Sequence, residues 1–379
     1  MIARPLRVMA RLAGRLLEYV YPPKGSDWAQ AMRWEIDSVE GDGAALLFAL
    51  GCLWGGCRLR VADRIVLVIQ GGTSMRNNFT ALGEPRIAGI ACAFAATLLG
   101  MMYMAAAGAP ARYLVVNAAA FLLGLVALGG FAGAASRRFG SAVTILFGLC
   151  LLATALFGAA ADGAARWIFI GPLGVQVSLV VVPFMIVAFA GRPDAAGFAG
   201  IAAAALALAI QPDRAMAAVL ALGMVVLLSS RPSRWSALAA LAAAAGFTAA
   251  LARPEALPAV PFVDQILYTA FDVHPLAGAA VLLGSALLPV AAIAGWRRDP
   301  DRRHLYLTFA AVWLGCILAA AVGNYPTPVV GYGGSFILGY LLSLAALPTR
   351  QRASRALPEE RRNQEARGHR GHSKAAFLR

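Results

Sequence analysis

The chain has 379 residues, of which 60% are hydrophobic and 14% charged, and its formal net charge is +14. A water-soluble globular domain carries roughly a quarter charged residues, so this composition excludes an ordinary soluble enzyme. The positive charge is spread over short loops and the tail, a distribution that reflects membrane orientation and argues against nucleic acid as a partner.

The first twenty residues, MIARPLRVMARLAGRLLEYV, set Arg4, Arg7, Arg11 and Arg15 at helical spacing with Leu6, Met9, Leu12, Leu16 and Val20 between them. The pattern predicts a basic amphipathic helix lying on an anionic membrane surface. Recurring charge without a long apolar run argues against a cleaved leader. A mixed-charge helix follows from Asp27, then an apolar run from Ala44 to Leu59 that is short for a span. With the polar linker Gly71 to Arg86, residues 1–85 are expected to form a helical cytoplasmic extension.

From Ile87 the apolar runs predict an all-α, polytopic transmembrane bundle with spans near 87–108, 113–133, 141–160, 174–190, 196–211, 214–230, 235–252, 275–295, 305–322 and 332–348. Alternate loops hold Arg137-Arg138, Arg192, Arg231 with Arg234, and Arg297-Arg298 with Arg302-Arg303. The opposite loops hold Arg112, Arg166, Arg214 and Arg253, one each, so the positive-inside rule places both ends of the membrane domain, residues 86–348, in the cytoplasm. The tail, 349–379, is rich in Arg, Glu, Gln and Gly and is expected to be disordered, in contact with anionic lipid. The five cysteines lie in apolar stretches without ligand spacing and the four histidines are scattered, so no metal site is read; the cysteines are expected to be buried thiols.

The unusual polar stretches all fall in loops of the outer set. They are DGAARWIFIGPLGVQVS from Asp162, QPDRAM from Gln211, ARPEALPAVPFVDQILYTAFDVHPLAG from Ala252, and GNYPTPVVGYGGSF from Gly323. Spans nearly free of charge, with acids at one edge, argue against a secondary transporter, which buries ionisable groups at the midplane.

These stretches resemble the SEDS family (shape, elongation, division and sporulation) of ten-span peptidoglycan glycosyltransferases. Gly163, Ala164, Arg166, Trp167, Ile168, Ile170, Gly171, Leu173, Gln176 and Ser178 follow its motif after the third span, and Gln211, Pro212 and Asp213 its Q-P-D. Phe262 to Ala279 aligns with its outer-loop motif, and Pro328, Tyr332, Gly333, Gly334 and Ser335 with its last one. Leu179 and Val182 stand where the family has Glu and Lys, and the loop between spans seven and eight is shorter than the family's.

The resemblance implies a protein of the bacterial cytoplasmic (inner) membrane that polymerises lipid II, or a related polyprenyl-diphosphate sugar, at the outer leaflet in cell division or shape maintenance. It implies a transpeptidase or another divisome or elongasome membrane protein as partner and allows a divalent cation, Mg or Mn. Asp264 falls on the catalytic Asp, and Arg166, Arg214, Gln211, Gly333, Gly334, Ser335 and Asp272 are candidate substrate contacts. Plainer roles stay open: a solvated loop carboxylate for Asp264, interfacial anchors for the arginines, a helix cap or local ion pair for Asp213 and a cap on the eighth span for Asp272. The glycines of Gly331 to Gly334 either hold a diphosphate or let the last span pack closely, and Tyr325 and Tyr332 read as interfacial aromatics. A non-catalytic member that binds lipid carrier or division partners as a scaffold is the alternative.

Overall fold

The computed structural model describes residues 7, 10–11, 13–14, 17, 21, 26–53, 55–56, 84–131, 140–161, 164–171, 173–253 and 258–348. Most of the expected linker, and the tail 349–379, lie outside the described residues. In the N-terminal region, helices α1 (Ser26–Ser38) and α2 (Asp42–Leu53) share a small core in which Leu17, Ala29, Ile36, Ala45 and Ala49 are buried. Arg7 pairs with Asp42 at 2.7 Å and donates to the carbonyls of Ile36 and Val39, and Arg11 pairs with Asp37 at 2.8 Å. Two of the four arginines expected to face lipid are thus engaged within the unit, while Arg4 and Arg15 lie outside the described residues.

The membrane block runs through α3 (Pro85–Ala106), α4 (Ala111–Phe131), α5 (Gly140–Phe157), α6 (Val177–Gly191), α7 (Ala195–Ile210), α8 (Arg214–Ser230) and α9 (Arg234–Leu251). It continues with the short α10 (Ile266–Val273), then α11 (Pro275–Leu287), α12 (Val290–Arg298), α13 (Arg303–Val322) and α14 (Gly334–Ala345). Among the described residues, six helical stretches are long and apolar enough to cross a membrane, which makes this a multi-pass membrane protein. Every expected span is present as a helix, with three corrections.

The third span stops at Phe157 and the fourth begins at Val177, because residues between them form a three-stranded antiparallel sheet: β1 (Ala159–Ala161), β2 (Ala164–Ile170) and β3 (Leu173–Gln176). Gly171, at φ 59°, makes the turn that pairs Ile170 with Leu173 and Trp167 with Gln176. The apolar, β-branched and aromatic character of RWIFIGPLGV fits a pleated ribbon as well as a helix end, and hydropathy alone does not separate the two. The eighth span is broken at Leu288-Pro289, where a proline cannot continue the hydrogen-bond ladder. The last helix starts at Gly334, not at residue 332.

Helix starts follow capping chemistry. Asp194 accepts from the Gly197 amide at 2.8 Å, and Ser233 with Ser236 forms a reciprocal capping box. Asp213 caps α8 through Met216 N at 3.2 Å, as one of the expected alternatives had it. His274, not Asp272, caps α11: its Nδ1 accepts from Leu276 N at 3.1 Å ahead of Pro275, which leaves Asp272 exposed in the last turn of α10. Helix ends are closed by arginines, whose guanidinium groups satisfy the orphan carbonyls and oppose the helix dipole. Arg86 reaches Ala345 O at 2.6 Å, Arg253 reaches Ala209 O at 3.2 Å, and Arg231 reaches Ala190 O at 3.3 Å.

At the centre, α6 and α14 are buried along most of their lengths and pack on one another. Their axes approach so closely that a Cβ at Gly339 would overlap the Leu179 carbonyl oxygen. Gly129, on α4, has open space around its missing side chain. Gly339→Ala is therefore expected to lower stability by about 1–3 kcal/mol, whereas Gly129→Ala raises it by about 0.5–1 kcal/mol. Melting temperatures followed by tryptophan fluorescence in detergent check both, and equal shifts would contradict the packing. The cysteines depart from expectation: Cys52 and Cys316 are buried, but Cys150 is exposed on α5.

Candidate functional site

At one end of the bundle, the loops after α5, α7, α9 and α13 meet around a cavity of about 360 Å³. Its wall includes Arg166 and Trp167 of β2, Gln176 at the sheet–α6 junction, Asp213 and Met216 of α8, Asp264, and Gly333 and Ser335 at the start of α14. The four sequence stretches singled out above thus become one surface.

The break in the last apolar run is structured. Thr327 N donates to Val263 O at 2.9 Å, Tyr332 N to Phe262 O at 2.6 Å, and Gln265 Nε2 to Asn324 Oδ1 at 2.6 Å. These bonds join the 258–265 and 324–333 loops edge to edge, with Asp264 opposite Pro326 in an antiparallel bridge. The amides of Thr327, Val330, Tyr332 and Gly333 in this break are satisfied by protein, which is what an interruption of apolar helix requires. Phe262 (φ 65°) and Gln265 (φ 58°) hold left-handed backbone on either side of Asp264. Such conformations cost on the order of 1–3 kcal/mol each and gather where a site fixes a side chain.

Asp264 is buried, 8% exposed, and its Oδ2 accepts from Val260 N at 2.8 Å. Burial pushes its carboxyl above the ordinary carboxylate range, and the Val260 hydrogen bond offsets part of that rise. Arg166, 3% exposed, is held by the backbone of the Gln211-Pro212 turn: Nε donates to Gln211 O at 3.2 Å and Nη2 to Pro212 O. These bonds orient the guanidinium at the cavity wall.

Asp213 is the hub of a buried polar cluster. Its Oδ2 accepts from Ser178 Oγ at 2.7 Å and Gln176 Nε2 at 3.1 Å, while Oδ1 caps α8; Gln176 N in turn donates to Ser335 Oγ at 3.1 Å. The cluster ties the starts of α6, α8 and α14 together at the cavity. No side chain caps α6 or α14, so the positive ends of two helix dipoles face it, beside Arg166.

The remaining candidates separate. Gln211 positions Arg166 through its backbone, and its side chain turns to Leu151 O at 3.2 Å, away from the cavity. Gly334 packs against Ala120 while its neighbours Gly333 and Ser335 line the wall. Asp272 is on the exposed face of α10 and does not line the cavity. Arg214 points elsewhere: Nε donates to Ala250 O at 3.4 Å and Nη2 to Leu251 O at 3.3 Å and to Arg253 O, closing the end of α9. Arg214→Ala is accordingly expected to lower stability by about 1–2 kcal/mol through the lost cap, with ligand affinity at the cavity unchanged. A loss of affinity at unchanged melting temperature would contradict this.

Among the described residues, no group of three or more His, Cys, Asp or Glu side chains could hold a metal ion. The Asp213 oxygens are already used by Gln176, Ser178 and Met216. These residues do not fit a resident divalent cation. Tyr332 is not simply an interfacial aromatic: its ring stacks on Tyr113 of α4 at 3.7 Å and 11°. Sequence reading missed Asn117 as well, although it is a lone polar residue in the apolar run LVVNAAAF; its side chain bonds Gly331 O at 2.9 Å and Gly333 N at 3.1 Å.

No family model and no curated protein matches the chain. Among solved structures it is similar to the rod shape determining protein RodA of Thermus thermophilus, at 22% identity and TM-score 0.49, over 68% of this chain and 93% of that one. A point mutant of the same protein gives 22% identity and TM-score 0.49, over 68% and 94%. A chain from a peptidoglycan synthase complex gives 21% identity and TM-score 0.44, over 67% and 96%.

Proposed function

We propose that this chain is a divergent SEDS-type glycosyltransferase that polymerises a lipid-diphosphate-linked sugar, of the lipid II class, at the outer leaflet of the bacterial cytoplasmic membrane. The observation that carries the reading is the meeting of Asp264, Arg166 and two side-chain-uncapped helix starts on one cavity. The four motifs that resemble the family, in their family order, support it.

In the proposed step, an acceptor sugar hydroxyl attacks the anomeric carbon of the donor. The new glycosidic C–O bond forms as the bond to the diphosphate breaks. The hydroxyl proton passes to the Asp264 carboxylate, and the leaving polyprenyl diphosphate takes the electron pair. Its negative charge is met by the Arg166 guanidinium and the amide-bearing starts of α6 and α14, donors fixed in place before reaction. A guanidinium can fork onto two phosphate oxygens while its remaining N–H groups hold the Gln211-Pro212 turn. Apolar wall residues such as Met216, Val219 and Phe336 keep the site partly dry, which strengthens these interactions.

The arginine distribution in the loops supports a topology with both termini cytoplasmic and the cavity outward. The alternative, a scaffold that binds the carrier without turnover, draws on Leu179 at the cavity wall where the family has Glu. Purified chain incubated with lipid II, alone and with a cognate transpeptidase, decides between them: glycan polymer on a gel is the expected result. Absence of polymer in both mixtures sinks the enzyme reading.

A further inference from the structure

We infer that Asn117 is a positioning residue that aims the start of α14 into the cavity so that its first-turn amides receive the diphosphate of the lipid-linked substrate. This rests on the reading that the cavity binds a lipid diphosphate.

Asn117 lies inside α4, in the run LVVNAAAF, and is 0% exposed. A buried carboxamide within an apolar helix is costly unless both of its ends are paired. Here both are, and to one turn of chain: Nδ2 donates to Gly331 O at 2.9 Å and Oδ1 accepts from Gly333 N at 3.1 Å. The assignment of the two ends follows from the partners, since a flipped amide would oppose two acceptors and two donors. About one turn to either side, α4 makes two further contacts on the same stripe. The Tyr113 ring stacks on Tyr332 at 3.7 Å, and the Ala120 methyl would stand 2.8 Å from a Cβ at Gly334.

Tyr113, Asn117 and Ala120 therefore grip successive residues of the Gly331–Gly334 turn. The grip holds Gly333 at φ 140° and ψ 112°, a backbone conformation that L side chains rarely adopt. The Gly333 amide is used by Asn117, and Ser335 and Phe336, the second and third residues of α14, line the cavity at a helix start that no side chain caps. A side-chain cap would compete with an anion for those amides. A start pinned from behind leaves them facing the ligand and lowers the cost of ordering them on binding.

The test titrates farnesyl diphosphate, with farnesol as control, into the full-length protein in detergent, reading quenching of tryptophan fluorescence; Trp167 lies on the cavity wall. Wild type is expected to prefer the diphosphate. Asn117→Leu should weaken diphosphate affinity by about tenfold, the scale of a misaligned helix dipole, and leave farnesol affinity unchanged. Asn117→Asp sets a carboxylate against Gly331 O at neutral pH, whereas its protonated form restores both hydrogen bonds. Its diphosphate affinity, normalised to wild type at each pH, should recover as pH falls.

Unchanged diphosphate affinity in Asn117→Leu overturns the inference, as does parallel loss of farnesol binding. Should the Leu variant fail to fold, a pH-independent Asp variant overturns it. A wild type that does not distinguish diphosphate from farnesol sinks the cavity reading and this inference with it. Insensitive variants beside a discriminating wild type sink the inference alone.

Discussion

Asp264→Asn is expected to lower polymerisation by about 10²–10⁴-fold, the contribution of a positioned general base, while the protein stays folded and still binds the lipid donor. Asparagine keeps an acceptor oxygen for Val260 N but cannot take the proton of the sugar hydroxyl. The pH dependence gives an independent check. Burial raises the Asp264 carboxyl above the usual range, so the base form is gained only as pH rises through that raised value. The wild-type rate should climb across an interval above ordinary carboxylate titration, and the Asn variant should lack that limb. Stability runs the opposite way. A carboxyl whose folded pKa exceeds its unfolded one stabilises the fold at acid pH, and that contribution is lost as pH rises through the folded value. Asp264→Asn should flatten this slope. An Asn variant that polymerises at the wild-type rate would remove Asp264 from the chemistry, and complementation of a cell by that variant would favour the scaffold.

Arg166→Ala is expected to weaken lipid-diphosphate binding by at least tenfold and to lower stability by about 2–3 kcal/mol. The first effect is loss of the positive charge facing the leaving group, and the second is abandonment of the buried Gln211 and Pro212 carbonyls. Arg166→Lys separates the two. A lysine retains the charge as a point but not the planar fork, so stability should fall less than with alanine while turnover stays well below wild type. Donor affinity that is the same in wild type, Lys and Ala variants would make Arg166 a brace for the turn and nothing more. The contrast with Arg214 is diagnostic. Arg166 lies on β2 and Arg214 opens α8, yet Arg214 spends its hydrogen bonds on the end of α9.

Much of the architecture was legible locally. Apolar runs mark the spans because lipid demands long uncharged helices, and Asp213 was readable as a cap because a short polar side chain can satisfy the first free amides. The candidate carboxylate Asp264 was legible through its motif. The small sheet was not, since Ala164–Ile170 reads as the edge of a span until a turn at Gly171 pairs it with Leu173–Gln176. Asn117 was visible as a lone polar residue, but its meaning depends on a partner more than two hundred positions away in sequence.

By itself, then, the sequence determined that the chain crosses a membrane, roughly where each span lies, and which loops carry unusual polar residues. Those properties depend on hydrophobicity and charge within a window of about twenty residues. Only the tertiary structure decided which polar residues share a cavity. Arg166, Asp213, Asp264 and Ser335 converge there, while Arg214, Gln211 and Asp272 turn away. The physical reason is that an arginine or carboxamide goes to whichever unpaired carbonyls and amides packing brings within reach, and that choice is made by helix contacts distant in the chain.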